Sequence, residues 1–308
     1  AAAAPEAGTS RVKVIVAYSG HPGRADERAI ERLDGTVRHR YRIVDAIAAE
    51  VPQARLEQLA SQPGVSGVEL DGKLTLFDHG PDTGDLEYEN AWGVEHIGAR
   101  AAHQAGIDGS GIKVAVIDTG IDYIHNDLVD VPYVVDPEFN GIYAGGYDFF
   151  NGDADPMDDN GHGTHVAGIL AAEHNGYLVT GVAPGVDLYA LKILNENGEG
   201  EYSGLIAALD WIVAYNLAND VDIRVVNMSL GGHDVSATLQ AAIEATAASG
   251  VLLAAASGNV NPYDIWELLW GCPVVYPAAY PEVLATTFTN EGDALTGYSC
   301  TGPEVDVA

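Results

Sequence analysis

Three apolar runs in this 308-residue sequence end in a polar residue beside glycine. Val114-Ala115-Val116-Ile117 leads into Asp118-Thr119-Gly120, and Val225-Val226-Asn227-Met228 leads into Ser229-Leu230-Gly231-Gly232. Leu252 to Ala256 leads into Ser257-Gly258-Asn259. A fourth stretch, Asn160 to Gly168, sets His162 at the mouth of an apolar helix whose small residues allow close packing. Taken singly, each has a bland reading. A strand-end Asp usually caps a turn, and a lone His on an apolar helix is usually a core residue. Taken together they supply what activation of a nucleophile needs. His162 is a base, Asp118 a carboxylate to orient it, and Asn259 an amide donor for a developing oxyanion.

The elements that would hold these residues read as alternating strands and helices. Strands are expected at Lys113 to Ile117, Asp187 to Leu194, Ile223 to Met228, Val251 to Ala256 and Val283 to Phe288. Helices are expected at His162 to Glu173, Gly204 to Asn216 and Thr238 to Ala248. Continuous apolar strands of this kind are buried on both faces of a parallel sheet, and sites in such sheets lie beyond the carboxyl ends of the strands. The first part of the chain reads differently. Strands at Arg11 to Tyr18, Thr36 to Val44, Ala46 to Val51 and Val65 to Leu70 alternate with helices at Ala25 to Leu33 and from Pro52 to Pro63-Gly64. That order is the split β-α-β pattern, a small ferredoxin-like α+β domain over 11–77. Residues 78–91 are acidic, contain Gly and Pro, and read as an exposed linker to the larger unit, 92–308.

Charge divides the chain in the same place. Residues 1–77 hold ten Lys+Arg and ten Asp+Glu, which cancel; the remaining four and 35 make up the entire net charge of −31. The acidic part argues against nucleic acid as a partner. No apolar run reaches the ~18 residues of a membrane span. Cys272 and Cys300 form a disulfide if the protein is exported, and are otherwise two buried thiols. No GxGxxG or GK[ST] block follows a strand, which disfavours a nucleotide-binding enzyme.

Residues 92–308 resemble the catalytic domain of the subtilisin-like serine proteases, the subtilases. Four blocks carry the resemblance: Val114 to Gly120, Asn160 to Gly168, Val226 to Gly232 and Ala254 to Asn259, with Tyr276 to Val283 and Gly302 to Val307 in agreement. The resemblance implies that Asp118 orients the imidazole, that His162 shuttles the proton and that Asn259 stabilises the oxyanion. It implies a structural role for His165, a turn deeper on the same helix face. It further implies that Ser229, Leu230 and Gly231 pair as a strand with the substrate backbone, while Ala256 and Gly258 line the pocket for the residue before the cut bond. Calcium is the implied cofactor, held by Asp127, by the Asn175 side chain and by the carbonyls of Glu173, Tyr177 and Val179. The clusters Asp153/Asp155 and Asp158/Asp159 could form a second site but read better as solvated loop charge.

Residues 11–77 resemble the inhibitory propeptide of the same family, with Leu74-Thr75-Leu76-Phe77 as the tail that fills the substrate cleft. Leu74 and Phe77 would take two of its pockets, and processing would follow Phe77. The expected protein is thus a secreted, calcium-dependent serine endopeptidase zymogen, a monomer acting on peptides and first bound by its own propeptide. One departure stands out. The family's nucleophile sits in a Gly-Thr-Ser-Met-Ala block after the run matched by Gly302 to Val307, and this sequence stops at Ala308. The expectation is a catalytic domain cut before its serine, inactive as given. The alternative is a catalytically dead fragment or pseudoenzyme serving as a propeptide-type binding module. A sedolisin-type acid peptidase would need Glu where His162 stands.

Overall fold

The computed structural model describes residues 10–76, 91–125, 127–128, 143–174, 179–219, 221–260 and 271–308. The first unit contains β1 (Arg11–Tyr18), α1 (Arg24–Glu31), β2 (Thr36–Arg40), β3 (Ala46–Pro52), α2 (Leu56–Ala60) and β4 (Val65–Leu70). Its four strands form an antiparallel sheet in the order β2-β3-β1-β4. The two central strands, β1 and β3, are apolar on both faces, and the two-residue period sorts them. Val14, Val16, Ile47, Ala49 and Val51 pack with Ile30, Leu33 and Leu59 of the helical side. Ile15, Ala46 and Ala48 face the other way and join the core of the larger unit.

After β5 (Lys73–Leu76), the larger unit runs α3 (Trp92–His96), α4 (Ala99–Gln104), β6 (Lys113–Asp118), β7 (Tyr143–Asp148), α5 (His162–Ala171) and β8 (Asp187–Lys192). It continues through β9 (Glu199–Glu201), α6 (Tyr202–Asn219), β10 (Ile223–Met228), β11 (Leu230–Gly231), α7 (Ala237–Ala248), β12 (Leu252–Ala256) and β13 (Val283–Thr286). Six strands make a parallel sheet, in the order β13-β12-β10-β6-β8-β7. One side of it buries Leu205, Ile206, Leu209 and Ile212 of α6 with Leu239 and Ile243 of α7. Each such aliphatic side chain is worth about 1.5–3 kcal/mol relative to exposure. Val114, Val116, Leu188 and Ala190 pack on the other side against Ala167 and Ala171 of α5.

Several boundaries differ from the sequence expectation, each for a tertiary reason. The strand expected to reach Val44 stops at Arg40, because the backbone N–H groups of Arg42 and Ile43 turn to donate to the buried carboxylate of Asp210 on α6, both at 2.9 Å. Helix α5 ends at Ala171, where Ala172 adopts an extended ψ of 134° and Glu173 N–H donates to Asp127 O. Strand β7 was not expected, since it contains Gly145 and Gly146. It needs that glycine: a Cβ on Gly146 would lie 1.9 Å from Ala190 O.

The two units are joined by charge placed at helix ends. Asp71 Oδ1 accepts the N–H of Ser203 in the first turn of α6, at 2.9 Å. Ser236, which caps α7 by accepting from Leu239 N, donates its hydroxyl to Glu69 at 2.7 Å. Carboxylates at helix N-termini meet unsatisfied N–H groups and the positive end of the dipole. Lys13 and Arg38 both pair with Glu201 of β9.

Burial pushes the Asp71 carboxyl from 3.8 up to about 6; hydrogen bonds from Ser203 oppose the rise and Glu201 adds to it. The folded chain therefore holds this proton more tightly than the unfolded chain. The stabilisation is complete below the unfolded value of 3.8 and is lost as pH rises through about 6. Asp71→Asn is expected to raise the melting temperature at about pH 8, with the gain shrinking as pH falls towards about 4. A gain that is constant across this range would contradict the assignment.

Candidate active site

Strand order reverses between β6 and β10, and this is where crevices open at the carboxyl end of a parallel sheet. Asp118 closes β6 there with none of its surface exposed. Its Oδ1 lies 2.8 Å and its Oδ2 3.0 Å from Nδ1 of His162, and Thr119 N–H donates to Oδ1 at 2.7 Å. A carboxylate can only accept, so Nδ1 carries the proton and Nε2 is the ring nitrogen suited to act as base. Burial pushes the Asp118 carboxyl above its ordinary value, and the hydrogen bond and charge of His162 oppose this.

Two glycines let His162 reach that position. Gly161 precedes α5 with φ +106°, a conformation that side chains with a Cβ rarely adopt. Gly163 brings the helix so close to the β6 turn that a Cβ would sit 2.0 Å from Gly120 O. The bent entry and the close approach account for the His-Gly-Thr spacing. Under the turn, Lys192 is fully buried and spends its ammonium on Thr119 O, Leu194 O and Asp159, at 2.6, 2.8 and 2.6 Å.

His162, Ser229, Ala256, Gly258 and Asn259 line one cleft of about 330 Å³. The expected residues from three strand ends and one helix end are thus brought together. His165, expected a turn deeper on the same helix face in a structural role, also lines this cleft and is exposed. Leu230 and Gly231, forming β11, pair antiparallel with β5, which pairs on its other edge with β9. Leu230 stands opposite Leu76, Gly231 opposite Thr75, and Gly200 opposite Leu74, whose side chain is fully buried. Residues 73–76 therefore run as the central strand of a three-stranded sheet beside the cleft. Phe77 lies outside the described residues, as do Asn175 and Tyr177 of the expected calcium set and most of the linker.

Of the expected metal ligands within the described residues, Asp127 meets the backbone of Glu173 and Val179 through their N–H groups. Asp127 is buried with Oδ1 lacking a hydrogen-bond partner, its carboxylate accepts from the Val179 backbone, and its carbonyl accepts from Glu173 N–H at 3.0 Å. A buried, partnerless carboxylate oxygen beside two backbone segments fits a hard, oxygen-seeking cation. Among the described residues, no cluster of three or more His, Cys, Asp or Glu could hold a metal.

The segment Ser257, Gly258 and Asn259, which follows β12, is braced by a feature the sequence left open. Cys272 and Cys300 are disulfide-bonded. Cys300 N–H donates to Gly258 O at 2.9 Å and Cys300 O accepts the Ser257 hydroxyl at 2.8 Å.

A parallel α/β sheet with an Asp–His pair and a side-chain amide at its switch point defines the class of nucleophile-activating hydrolases. Comparison with known proteins narrows this. The profile of Peptidase S8, the subtilase family, matches residues 109–308. The chain is similar to the minor extracellular protease Epr of Bacillus subtilis, with 38% identity over 306 residues, 97% of this chain and 42% of that protein. It is similar to a thermostable alkaline protease of Halalkalibacterium halodurans, at 33% over 90% of this chain and 66% of that protein. It is also similar to subtilisin E of Bacillus subtilis, at 34% over 90% of this chain and 65% of that protein. The chain belongs to the subtilase family, and it spans between about two fifths and two thirds of the length of these relatives.

The disulfide closes a loop with a sequence separation of 28. Replacing both cysteines by serine is expected to cost about 3–4 kcal/mol of stability in urea titrations. The same change should speed hydrogen exchange of the amides at 257–260 more than those of β6. Equal acceleration throughout would show that the bridge does not brace this segment in particular.

Proposed function

We propose that the protein is a secreted serine endopeptidase made as a zymogen. The observation that carries this reading is the pairing of β5 between β9 and β11, the latter directly following Ser229 of the cleft that His162 lines. A cleft that accepts an extended backbone as a central strand suits a peptide substrate, with main-chain hydrogen bonds giving affinity and alternate side-chain pockets giving selectivity.

In this reading His162 takes the hydroxyl proton of a serine as its oxygen attacks the scissile carbonyl carbon. Asp118 stabilises the imidazolium, and Asn259 donates its amide to the oxyanion. Collapse breaks the C–N bond, the leaving amine takes the proton from His162, and water then hydrolyses the ester by the same path in reverse. The two serines of the cleft do not serve as the nucleophile. Ser257 gives its hydroxyl to Cys300 O, and Ser229 accepts from the Asn227 amide at 3.0 Å. We assign that role to a serine outside the 308-residue segment.

Residues 11–77 act in this proposal as inhibitor and folding aid. Their support is the β-α-β-β-α-β order, the bonds from Ser203 N–H to Asp71 and from the α7 cap Ser236 to Glu69, and the seating of β5 with Leu74 buried. Export agrees with the disulfide and with the extracellular naming of one relative; among the described residues, no helix is long and apolar enough to cross a membrane. Calcium would be held by Asp127 with the carbonyls of Glu173 and Val179 and by Asn175 and Tyr177. When bound it would supply rigidity to the end of α5, and it takes part in no chemical step.

Three outcomes test this. A fluorophosphonate probe should label the protein extended beyond Ala308 but not the 308-residue segment, and His162→Ala should abolish labelling. Labelling of neither form favours the second reading, a binding module without activity. The mature N-terminus is expected at Asp78, and one well inside 92–308 would exclude the tail assignment. Separately, calcium at about 100 times its dissociation constant should add about 2.7 kcal/mol of stability, and Asp127→Asn should erase that increment.

A further inference from the structure

We propose that Asp158 is the positioning residue that holds Asp118 and His162 in register; this rests on the peptidase reading above. The pair comes from two separate elements, the end of β6 and the start of α5, which approach only at their tips. One carboxylate ties the tips together. Asp158 Oδ1 accepts from Thr119 Oγ1 at 2.8 Å and from the N–H groups of Asn160 and Gly161, both at 3.0 Å. Oδ2 accepts from Thr164 N–H at 2.9 Å and from the Thr164 hydroxyl. Five donors therefore converge on one side chain.

The two threonines extend the link in opposite directions. Thr119, next to Asp118, accepts the N–H of Gly163 at 2.9 Å while donating to Asp158. Thr164, two residues after His162, accepts the N–H of Asp122 at 2.9 Å while donating to Asp158. Each hydroxyl has a single proton, and each directs it at Asp158, so the direction of the network is set by an acceptor-only group at its centre. Burial raises the Asp158 carboxyl, but hydrogen bonds from Gly161, Thr164 and Asn160 outweigh it and hold the group below its ordinary value. From sequence it resembles any loop aspartate, and only the fold turns it inward while its neighbour Asp159 faces Lys192.

An amide cannot replace it. Asn at 158 puts an N–H2 donor at one of the two oxygen positions, where the backbone N–H groups of Asn160 and Gly161, or that of Thr164, can only donate, so those bonds are lost there and the threonine hydroxyl beside them must reverse. Misplacement of the imidazole by a fraction of an ångström follows, and geometry of that kind governs kcat more than binding.

The experiment uses the full-length protein with Asp158→Asn, Thr119→Val and Thr119→Ser, and with Asp153→Asn as a control in the same loop. Asp158→Asn is expected to lower kcat on a peptide substrate by roughly ten- to a hundred-fold with KM changed less than about two-fold. Thr119→Val should lower kcat in the same sense but less, Thr119→Ser should restore it, and Asp153→Asn should have no effect. The downfield proton resonance of His162 Nδ1–H should be sharp in the parent and broadened or lost in Asp158→Asn. If Asp158→Asn does not fold, the Thr119 pair carries the test, since valine and serine differ there in the hydroxyl that makes the link. An unchanged kcat and resonance in folded Asp158→Asn, a loss expressed in KM, or equal activity of Thr119→Val and Thr119→Ser would each overturn the proposal. A parent with no peptidase activity but a sharp resonance that responds to Asp158→Asn would sink the peptidase reading and leave the positioning role standing.

Discussion

The carboxylate of Asp118 is completely withdrawn from water at the end of a central strand, and the rest of the site follows from the need to satisfy it. An isolated buried charge is costly, and burial alone would drive the group towards its neutral form. Thr119 N–H and the His162 ring are the partners that oppose this. The need for an imidazole there requires a helix that starts within a few ångströms of the β6 turn. That in turn requires glycine at 161 and 163. The buried ammonium of Lys192 fixes the carbonyl of the turn from below. Strand, helix and cation are thus joined by the cost of one charge.

The same economy governs the contact between the units. Helices α6 and α7 begin at the surface of the larger unit, and their first turns receive carboxylates from the smaller one. In return, Asp210 on α6 receives two backbone N–H groups from the turn after β2. Polar groups that each unit leaves unsatisfied are completed by the other. Residues 1–77 carry no net charge, so the electrostatic attraction is local; it comes from placed groups such as Lys13 and Arg38 against Glu201 and adds to the apolar core that Ile15, Ala46 and Ala48 share with the larger unit.

Much of this was legible in the sequence. Period and composition located the buried parallel strands, and β10 falls on its expected span. The conjunction of Asp118, His162 and Asn259 was legible because each sits at the end of an apolar run beside glycine, a pattern set by local backbone needs. What was not legible depended on partners far along the chain. The end of β2, the start of α6 and the glycine-containing β7 answer to Asp210, Asp71 and Ala190 respectively. The inward turn of Asp158 could not be read, because an aspartate in a loop looks the same in sequence whether it faces water or five donors. The cysteine pairing was likewise a matter of proximity in space rather than of spacing.

Strand β5 is covalently continuous with the unit that docks beside it, only two residues after β4. Its occupancy of the groove between β9 and β11 is therefore intramolecular, with an effective local concentration on the order of millimolar. On the peptidase reading, a free peptide would have to compete against that local concentration. A single backbone cut after the strand would leave every contact in place and still change the kind of equilibrium involved. Occupancy would become dependent on concentration, and simple dilution could then empty the groove.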